Sequence, residues 1–416
     1  MAKIKTITFG CRFNSYETEI TRSILNSLSP VDDVIVINTC SVTHEAERQS
    51  KQAVRKAIRE NPQAKIIVTG CAAKTSASYF QNLEGVFAVV QNNAKSDVNS
   101  YLSLPHAATA ANFDSNAIVD EDDQLFQNRA RAFLQIQSGC DHFCSYCIVP
   151  FTRGRSRSLP LNVISRRIEH LLSLGFKEIV LSGIDITSYN SDGLDFPGVI
   201  QAILAKFPTL LRLRISSLDP ARIDTRLLAL LTTEARIMPH FHLSIQSGDN
   251  DVLRAMRRRH TREQVIDTCT RILSRRPGVI LGADLIAGFP SETDAAFENT
   301  LRLIDDAHIS LLHVFPYSPR SGTIAAQMLQ LPRVTILNRA KMLRKKAVEV
   351  KKRLLNSLVG THISGIVEYN ENGFSYGKTD NFLPFLTRAT LPPATILSKH
   401  EILRVSNGML ELSPTL

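Results

Sequence analysis

The stretch Cys140-Asp-His-Phe-Cys144-Ser-Tyr-Cys147 constrains this chain more than any other. It directly follows the apolar run Ala132-Phe-Leu-Gln-Ile-Gln137, which reads as a strand, so three thiols share one loop leaving a sheet. Their spacing wraps one side of a metal centre but supplies only three thiolates. An iron cluster normally takes four protein ligands, and with three, one iron stays open to a substrate or cofactor. A structural zinc site also wants four ligands. The fourth would be His142, inside the loop, or the distant Cys269, on an apolar helix face.

Cys140, Cys144 and Cys147 resemble the signature of radical S-adenosylmethionine enzymes, and the continuation Cys147-Ile-Val-Pro-Phe-Thr-Arg-Gly154-Arg-Ser-Arg resembles that of the methylthiotransferase family.

At 416 residues the chain is long enough for two or three domains. No run approaches the apolar length of a membrane span, and the start, Met1-Ala-Lys-Ile-Lys-Thr-Ile, reads as a strand rather than a signal peptide, so a cytoplasmic protein is expected. Seven cysteines form an odd count that argues against a disulfide framework and for metal or redox chemistry. Lysine and arginine outnumber acidic residues 49 to 39, a net charge of +10 that suits a polyanionic partner. Tryptophan is absent, so base stacking would fall to Phe, Tyr, His or Arg.

In the first hundred residues, strands at Ile4–Phe9, Asp33–Asn38 and Ala64–Thr69 alternate with helices at Ser15–Leu28 and Glu45–Glu60. That alternation predicts a doubly wound parallel sheet covered on both faces. Cys11, Cys40 and Cys71 each follow one of the three strands by one or two residues. Carboxyl ends of parallel strands share one edge, where ligands bind, so the three thiols are expected to converge as a second triad. The alternative is three separate buried thiols. Gly10-Cys11-Arg-Phe-Asn14, Asn38-Thr-Cys40 and Gly70-Cys71 also resemble the amino-terminal motifs of the methylthiotransferases.

Residues 1–105 are thus read as an amino-terminal α/β domain and 106–131, rich in Ala, Asn and acidic residues, as a linker. From 132 to 345 the strand before Cys140 is followed by five more, at Glu178–Ser182, Leu211–Ile215, Phe241–Ile245, Val279–Ile286 and Leu311–Phe315. Six are too few for an eight-stranded barrel. The resemblance implies a partial (β/α)6 TIM-like radical SAM barrel. Residues 354–416 turn to short strands broken by Asn-Gly and Pro-Pro, a small β-barrel that resembles the RNA-binding TRAM module.

Residues just past the barrel strands are candidates for cofactor contact, because sites on this architecture gather there. They are Ser182, Gly183 and Asp185, Ser216 with Asp219, Gln246, and the Gly288–Glu292 turn. Ser182-Gly183-Ile-Asp185 resembles the family's segment that receives the methionine amino group. Two basic runs, Arg254–His260, expected to begin a helix, and Lys341–Arg353, read as solvated faces, with phosphate contact as the alternative. Cys269 reads as core. No general acid or base stands out.

What the resemblance implies is transfer of a methylthio group to a carbon with no acidic proton, by radical chemistry. The cofactors implied are two [4Fe-4S] clusters and S-adenosyl-L-methionine, the latter cleaved at the Cys140, Cys144 and Cys147 cluster, while Cys11, Cys40 and Cys71 hold the cluster that delivers sulfur. An electron donor such as flavodoxin or ferredoxin and the anticodon stem-loop of a tRNA would be its partners. Gly10-Cys-Arg-Phe-Asn-Ser-Tyr16-Glu17-Thr18-Glu19 and Pro316-Tyr-Ser-Pro-Arg320-Ser-Gly322-Thr323 resemble the branch acting on tRNA threonylcarbamoyladenosine. The alternatives are the branches acting on isopentenyladenosine or on an aspartate of a ribosomal protein, or a zinc-bearing RNA-binding module without catalysis.

Overall fold

The computed structural model describes residues 3–28, 30, 32–95, 97–101 and 130–414. The expected linker at 106–131 lies outside the described residues except for Ala130 and Arg131. The chain divides into two compact units: Met1–Gln127 with Ser138–Arg157 and Ser318–Ala326, and Asn128–Gln137 with Ser158–Tyr317 and Gln327–Leu416. The loop bearing Cys140, Cys144 and Cys147 therefore belongs to the same unit as Cys11, Cys40 and Cys71.

In the first unit the strands Ile4–Thr8, Val34–Thr39, Lys65–Gly70 and Val86–Val89 pair in parallel in chain order. The fourth strand was not anticipated; it is apolar at all four positions but short, and none of its residues is fully buried. Val34–Thr39 is buried at every position, as expected where both faces of a parallel sheet are covered. Helix Arg12–Leu28 packs Ile24, Leu25 and Leu28 against Val34 and Val36 on one face. Helix His44–Glu60 packs Val54 and Ala57 against Ile35 and Ile37 on the other. Each fully buried Val, Leu or Ile contributes about 1.5–3 kcal/mol relative to exposure. Thr43 starts the second helix by accepting the Ala46 N–H, with Glu45 and Glu47 in its positive first turn.

In the second unit all six expected strands form, in two parallel ladders. Ala132–Gln135, Glu178–Ser182 and Arg212–Ile215 make the first; His240–Gln246, Ile280–Ala287 and Ile309–Pro316 make the second, extended by the two-residue strand Ser217–Leu218. Helices Leu161–Ser173, Phe196–Lys206, Thr225–Thr233, Arg262–Arg275 and Asp294–Asp306 connect them. The unit ends in helix Arg333–Ser357 and a closed barrel of five strands, His362–Glu371, Phe374–Thr379, Pro384–Thr387, Ile396–Ser406 and Met409–Leu412. Asn-Gly at 372–373 makes the first hairpin turn, Asn372 adopting φ of 50° and Gly373 79°.

A buried ion group joins this barrel to the first ladder. Glu178, fully buried at the start of its strand, accepts from Arg212 at 2.7 Å and Arg214 at 2.6 Å. Arg212 also pairs with Asp380 of the barrel, Arg214 donates to the Asp380 carbonyl at 3.1 Å, and Arg131 pairs with Glu368. These groups lie at the amino ends of the strands, which leaves the carboxyl ends to the candidate cofactor residues.

Candidate functional site

The amino-terminal triad is assembled by three strand ends. Cys40 and Cys71 come directly after Thr39 and Gly70, and Cys11 three residues after Thr8. Gly10 shows how closely they meet: a Cβ there would lie 2.7 Å from the Cys40 Sγ, and its φ of 89° is one that side-chain-bearing residues rarely adopt. Cys11 is exposed, whereas Cys40 and Cys71 are buried. Burial pushes the Cys40 thiol up to about 11, and Cys71 and Cys11 push it the same way. In the metal-free protein it is therefore a thiol, and positive charge beside it is what makes it a thiolate ligand.

The second triad lies in one loop. The Cys140 N–H donates to the Gly154 carbonyl at 3.2 Å, and the Cys147 N–H to the Cys144 carbonyl at 2.9 Å. Asp141 accepts from the Ser156 N–H at 3.1 Å and from Arg155 at 2.8 Å. A Cβ at Gly139 would lie 2.0 Å from the Arg155 carbonyl oxygen, so only glycine lets this return strand close. Phe143 and Phe151 stand edge to face, 6.1 Å apart, both exposed.

Three thiols apiece would leave one iron of a bound cluster without a protein ligand. Cys269 is fully buried among Val265 and Ile272, and burial pushes its thiol up to about 12; it is core, as expected, and is no fourth ligand. The segment Ser318–Ala326, in the same unit as both triads, is held by Arg320 paired with Glu47, by the His44 N–H to Ser318 Oγ at 3.0 Å, and by the Ala325 N–H to the Ser145 carbonyl at 2.8 Å. Burial alone would raise the Glu47 carboxyl, but Lys51, Arg320 and Ser76 hold it at about 2.

Among the cofactor candidates, Gln137 Oε1 accepts the Asp185 N–H at 2.8 Å and lies where a Cβ on Gly183 would sit at 3.0 Å. Ser182 carries the backbone into that turn by accepting the Ile136 N–H at 3.0 Å. Ser216 Oγ is buried and has no hydrogen-bond partner among the described residues. Gln246 ends its strand at φ of 76°, a conformation costly for a side-chain-bearing residue and typical of positions built for function. These residues fit contact with a polar nucleoside cofactor.

Two readings change. The run Arg254–His260 does not open a long helix: it leaves the short helix Asn250–Ala255 and crosses a turn, with Arg257 at φ of 59°. Arg258 and Arg259 turn onto Asp219 at 3.2 and 2.8 Å, so a carboxylate rather than phosphate neutralises them. Gly288–Glu292 is an anchor: Glu292 is buried, accepts the Gly288 N–H at 2.9 Å and receives Arg339 of the long helix at 2.9 Å.

Sequence reasoning missed two polar groups. His242, Asp284 and His313 come from three adjacent strands, with His242 Nε2 2.9 Å and His313 Nδ1 3.3 Å from one Asp284 oxygen. Only their period-two positions in apolar strands signal a shared face. Glu17, Lys95 and Arg153 form a buried ion group in the first unit, and their separation in sequence left no local signal.

A three-cysteine loop after the first of six parallel strands defines the class, a radical S-adenosylmethionine enzyme, and the Radical SAM superfamily model matches residues 134–304. Residues 3–91 match a second family, described as Uncharacterized protein family UPF0004. The fold is similar to that of the radical S-adenosylmethionine methyltransferase TsrM from Kitasatospora setae, with a TM-score of 0.56 over 88% of this chain and 78% of that one at 11% identity. The threonylcarbamoyladenosine tRNA methylthiotransferase MtaB of Rickettsia prowazekii is 41% identical over 97% of this chain and 96% of its own length. MtaB of Bacillus subtilis is 36% identical over 79% and 76%. A tRNA-2-methylthio-N(6)-dimethylallyladenosine synthase of Staphylococcus epidermidis is 33% identical over 77% and 66%. The chain belongs to the threonylcarbamoyladenosine tRNA methylthiotransferase family. Among the described residues no helix is long and apolar enough to cross a membrane.

Proposed function

We infer that the protein converts N6-threonylcarbamoyladenosine beside the tRNA anticodon to its 2-methylthio derivative. The observation that carries this is the pair of three-cysteine sites in one unit, each fit to leave an iron open. Cys140, Cys144 and Cys147 hold one [4Fe-4S] cluster and Cys11, Cys40 and Cys71 the other. Bound there with S-adenosyl-L-methionine, the clusters supply a one-electron cleavage that opens a C–H bond and a sulfur for the carbon so exposed.

The chain's own residues orient and shield. The Ser182–Asp185 turn, fixed by Gln137, presents backbone and carboxylate to the cofactor's amino group. Ser216 Oγ and Gln246 offer hydrogen bonds to its polar edges. The exposed Tyr369 of the carboxy-terminal barrel, stacked on the half-buried Tyr376 with ring centres 5.0 Å apart, offers a face on which a loop base stacks. The electron enters from a protein donor such as flavodoxin or ferredoxin, and the setting is cytoplasmic.

Mass spectrometry of nucleosides from bulk tRNA of a strain lacking the gene tests the reading. Loss of 2-methylthio-N6-threonylcarbamoyladenosine alone, restored by the wild-type gene, is the expected result. An unchanged nucleoside profile overturns it and directs attention to a ribosomal protein substrate; loss of the isopentenyl analogue instead reassigns the tRNA base.

A further inference from the structure

Arg153 follows Cys147 in the chain, at the end of the short helix Val149–Arg153, yet its side chain serves the other triad. It is 5% exposed and grips Glu17 with Nη1 at 2.8 Å and Nη2 at 2.9 Å. Nη2 also donates to Asn14 Oδ1 at 2.6 Å, and the guanidinium lies 4.3 Å from the Phe13 ring centre. Asn14 passes this on through Nδ2, which donates to the Phe9 carbonyl at 2.8 Å and the Thr39 carbonyl at 3.1 Å. Those carbonyls belong to the segments that deliver Cys11 and Cys40.

The third cysteine is reached through Lys95. Lys95 is fully buried, pairs with Glu17 and donates to Asn92 Oδ1 at 2.9 Å. The Asn92 amide nitrogen lies 3.6 Å from Cys71 Sγ and donates to the Thr152 carbonyl at 3.0 Å, beside Arg153. One guanidinium is thus tied within a few hydrogen bonds to all three cysteine-bearing segments.

Arg153 is the firm cation of this group: Glu17 holds its guanidinium protonated, whereas burial and the neighbouring Arg153 push the Lys95 ammonium below its usual value. The three cysteines of the amino-terminal triad are the nearby groups able to take up negative charge. Burial opposes the charge on Arg153, but Glu17, Cys71 and Cys11 together hold the guanidinium protonated. Removing water strengthens such interactions, and the potential of an iron–sulfur cluster follows its net charge, its burial and the hydrogen bonds to its sulfurs.

We propose that Arg153, with Lys95, is the positioning residue of the amino-terminal site: it fixes the three cysteine-bearing segments and supplies the positive charge that favours the reduced state of the cluster held by Cys11, Cys40 and Cys71. This rests on the reading above that each triad holds a cluster. It also makes the segment that follows Cys147 a contributor to the sulfur-delivering site.

The test isolates each cluster in the full-length chain. In a Cys140→Ala, Cys144→Ala, Cys147→Ala background only the amino-terminal cluster remains; in a Cys11→Ala, Cys40→Ala, Cys71→Ala background only the other. Each is reconstituted anaerobically with and without Arg153→Met, and iron, sulfide, the spectrum of the reduced cluster and its midpoint potential are measured. The expected result is a shift to more negative potential and an altered reduced-state spectrum, or selective loss of iron with unchanged circular dichroism, in the first background alone. Arg153→Lys, which keeps the charge and loses the fork, recovers most of the potential, and Lys95→Met shifts it in the same direction as Arg153→Met. A shift in the second background, equal iron loss in both, or unchanged potential and spectrum with full iron in the first overturns the assignment. A first background that takes up no iron before Arg153 is altered refutes the two-cluster reading instead, which keeps the two failures apart.

Discussion

The two cysteine triads reach similar chemistry by opposite routes. Cys140, Cys144 and Cys147 are carried by one short loop, whose shape is set by a few local contacts: the Cys140 N–H to Gly154, the Cys147 N–H to Cys144, and Asp141 to Ser156. Cys11, Cys40 and Cys71 come from three strand ends and meet only when the parallel sheet is complete. A local site can be redesigned with its loop; a dispersed one is as stable as the sheet and the buried charges behind it. The dispersed triad is accordingly the one backed by Glu17, Lys95 and Arg153.

The largest effect expected from this contrast separates the two roles outright. Cys144→Ala abolishes cleavage of S-adenosyl-L-methionine and with it all methylthiolation. Cys40→Ala retains cleavage and stops methylthiolation. Quantifying 5′-deoxyadenosine and the methylthiolated nucleoside in the same anaerobic reaction checks both. Equal loss of cleavage in both variants, with the untouched cluster still present by iron analysis, breaks the division of labour.

Glycine substitutions give a graded second test. At Gly10 a methyl group would meet the Cys40 side chain at 2.7 and 2.8 Å, and at Gly139 it would meet the Arg155 carbonyl at 2.0 Å. Gly154 has the same positive φ, 76°, as Gly139 but open space around it. Gly10→Ala is expected to cost the iron of the amino-terminal cluster only, and Gly139→Ala that of the loop cluster only. Gly154→Ala should retain both and lose about 1 kcal/mol, the conformational penalty alone. Iron content and urea midpoints measure the series, and loss of both clusters in Gly10→Ala would mean that the sheet edge, not the Cys40 contact, is what the glycine protects.

How much of this was readable in the sequence follows the same contrast. The loop triad announces itself, because its spacing is local and its strand precedes it directly. The dispersed triad was legible too, since each cysteine ends an apolar run and parallel topology converts equivalent positions into proximity. All six strands of the second unit and the closing barrel were visible as apolar runs between turn residues. The fourth strand of the first sheet, Val86–Val89, was missed although it is apolar at every position, because a run of four apolar residues does not by itself distinguish a strand from a stretch of helix. Arg258 and Arg259 looked like part of a solvated or phosphate-facing run because their partner, Asp219, is about forty residues away in sequence. The Glu17–Lys95–Arg153 and His242–Asp284–His313 groups stayed hidden for the same reason: charge pairing across a fold has no period.

The smallest expected effect concerns the seventh cysteine, and it sharpens the comparison by showing what a thiol outside both triads does. Cys269 sits in helix Arg262–Arg275, whose start is fixed by the reciprocal Thr261–Gln264 capping box, and it faces the core with Val265 and Ile272. Burial alone raises its thiol, with no charge to offset it, whereas Cys40 has the cationic Arg153 acting against burial. A thiol in that state is a small apolar filler. Cys269→Ala therefore leaves iron, sulfide and both activities unchanged and lowers stability by roughly 1 kcal/mol, the scale of one buried group lost from a packed core. Metal analysis and a urea titration of the reconstituted variant measure this; loss of iron or the appearance of a zinc requirement would place Cys269 among the ligands and return the loop triad to a four-ligand metal site.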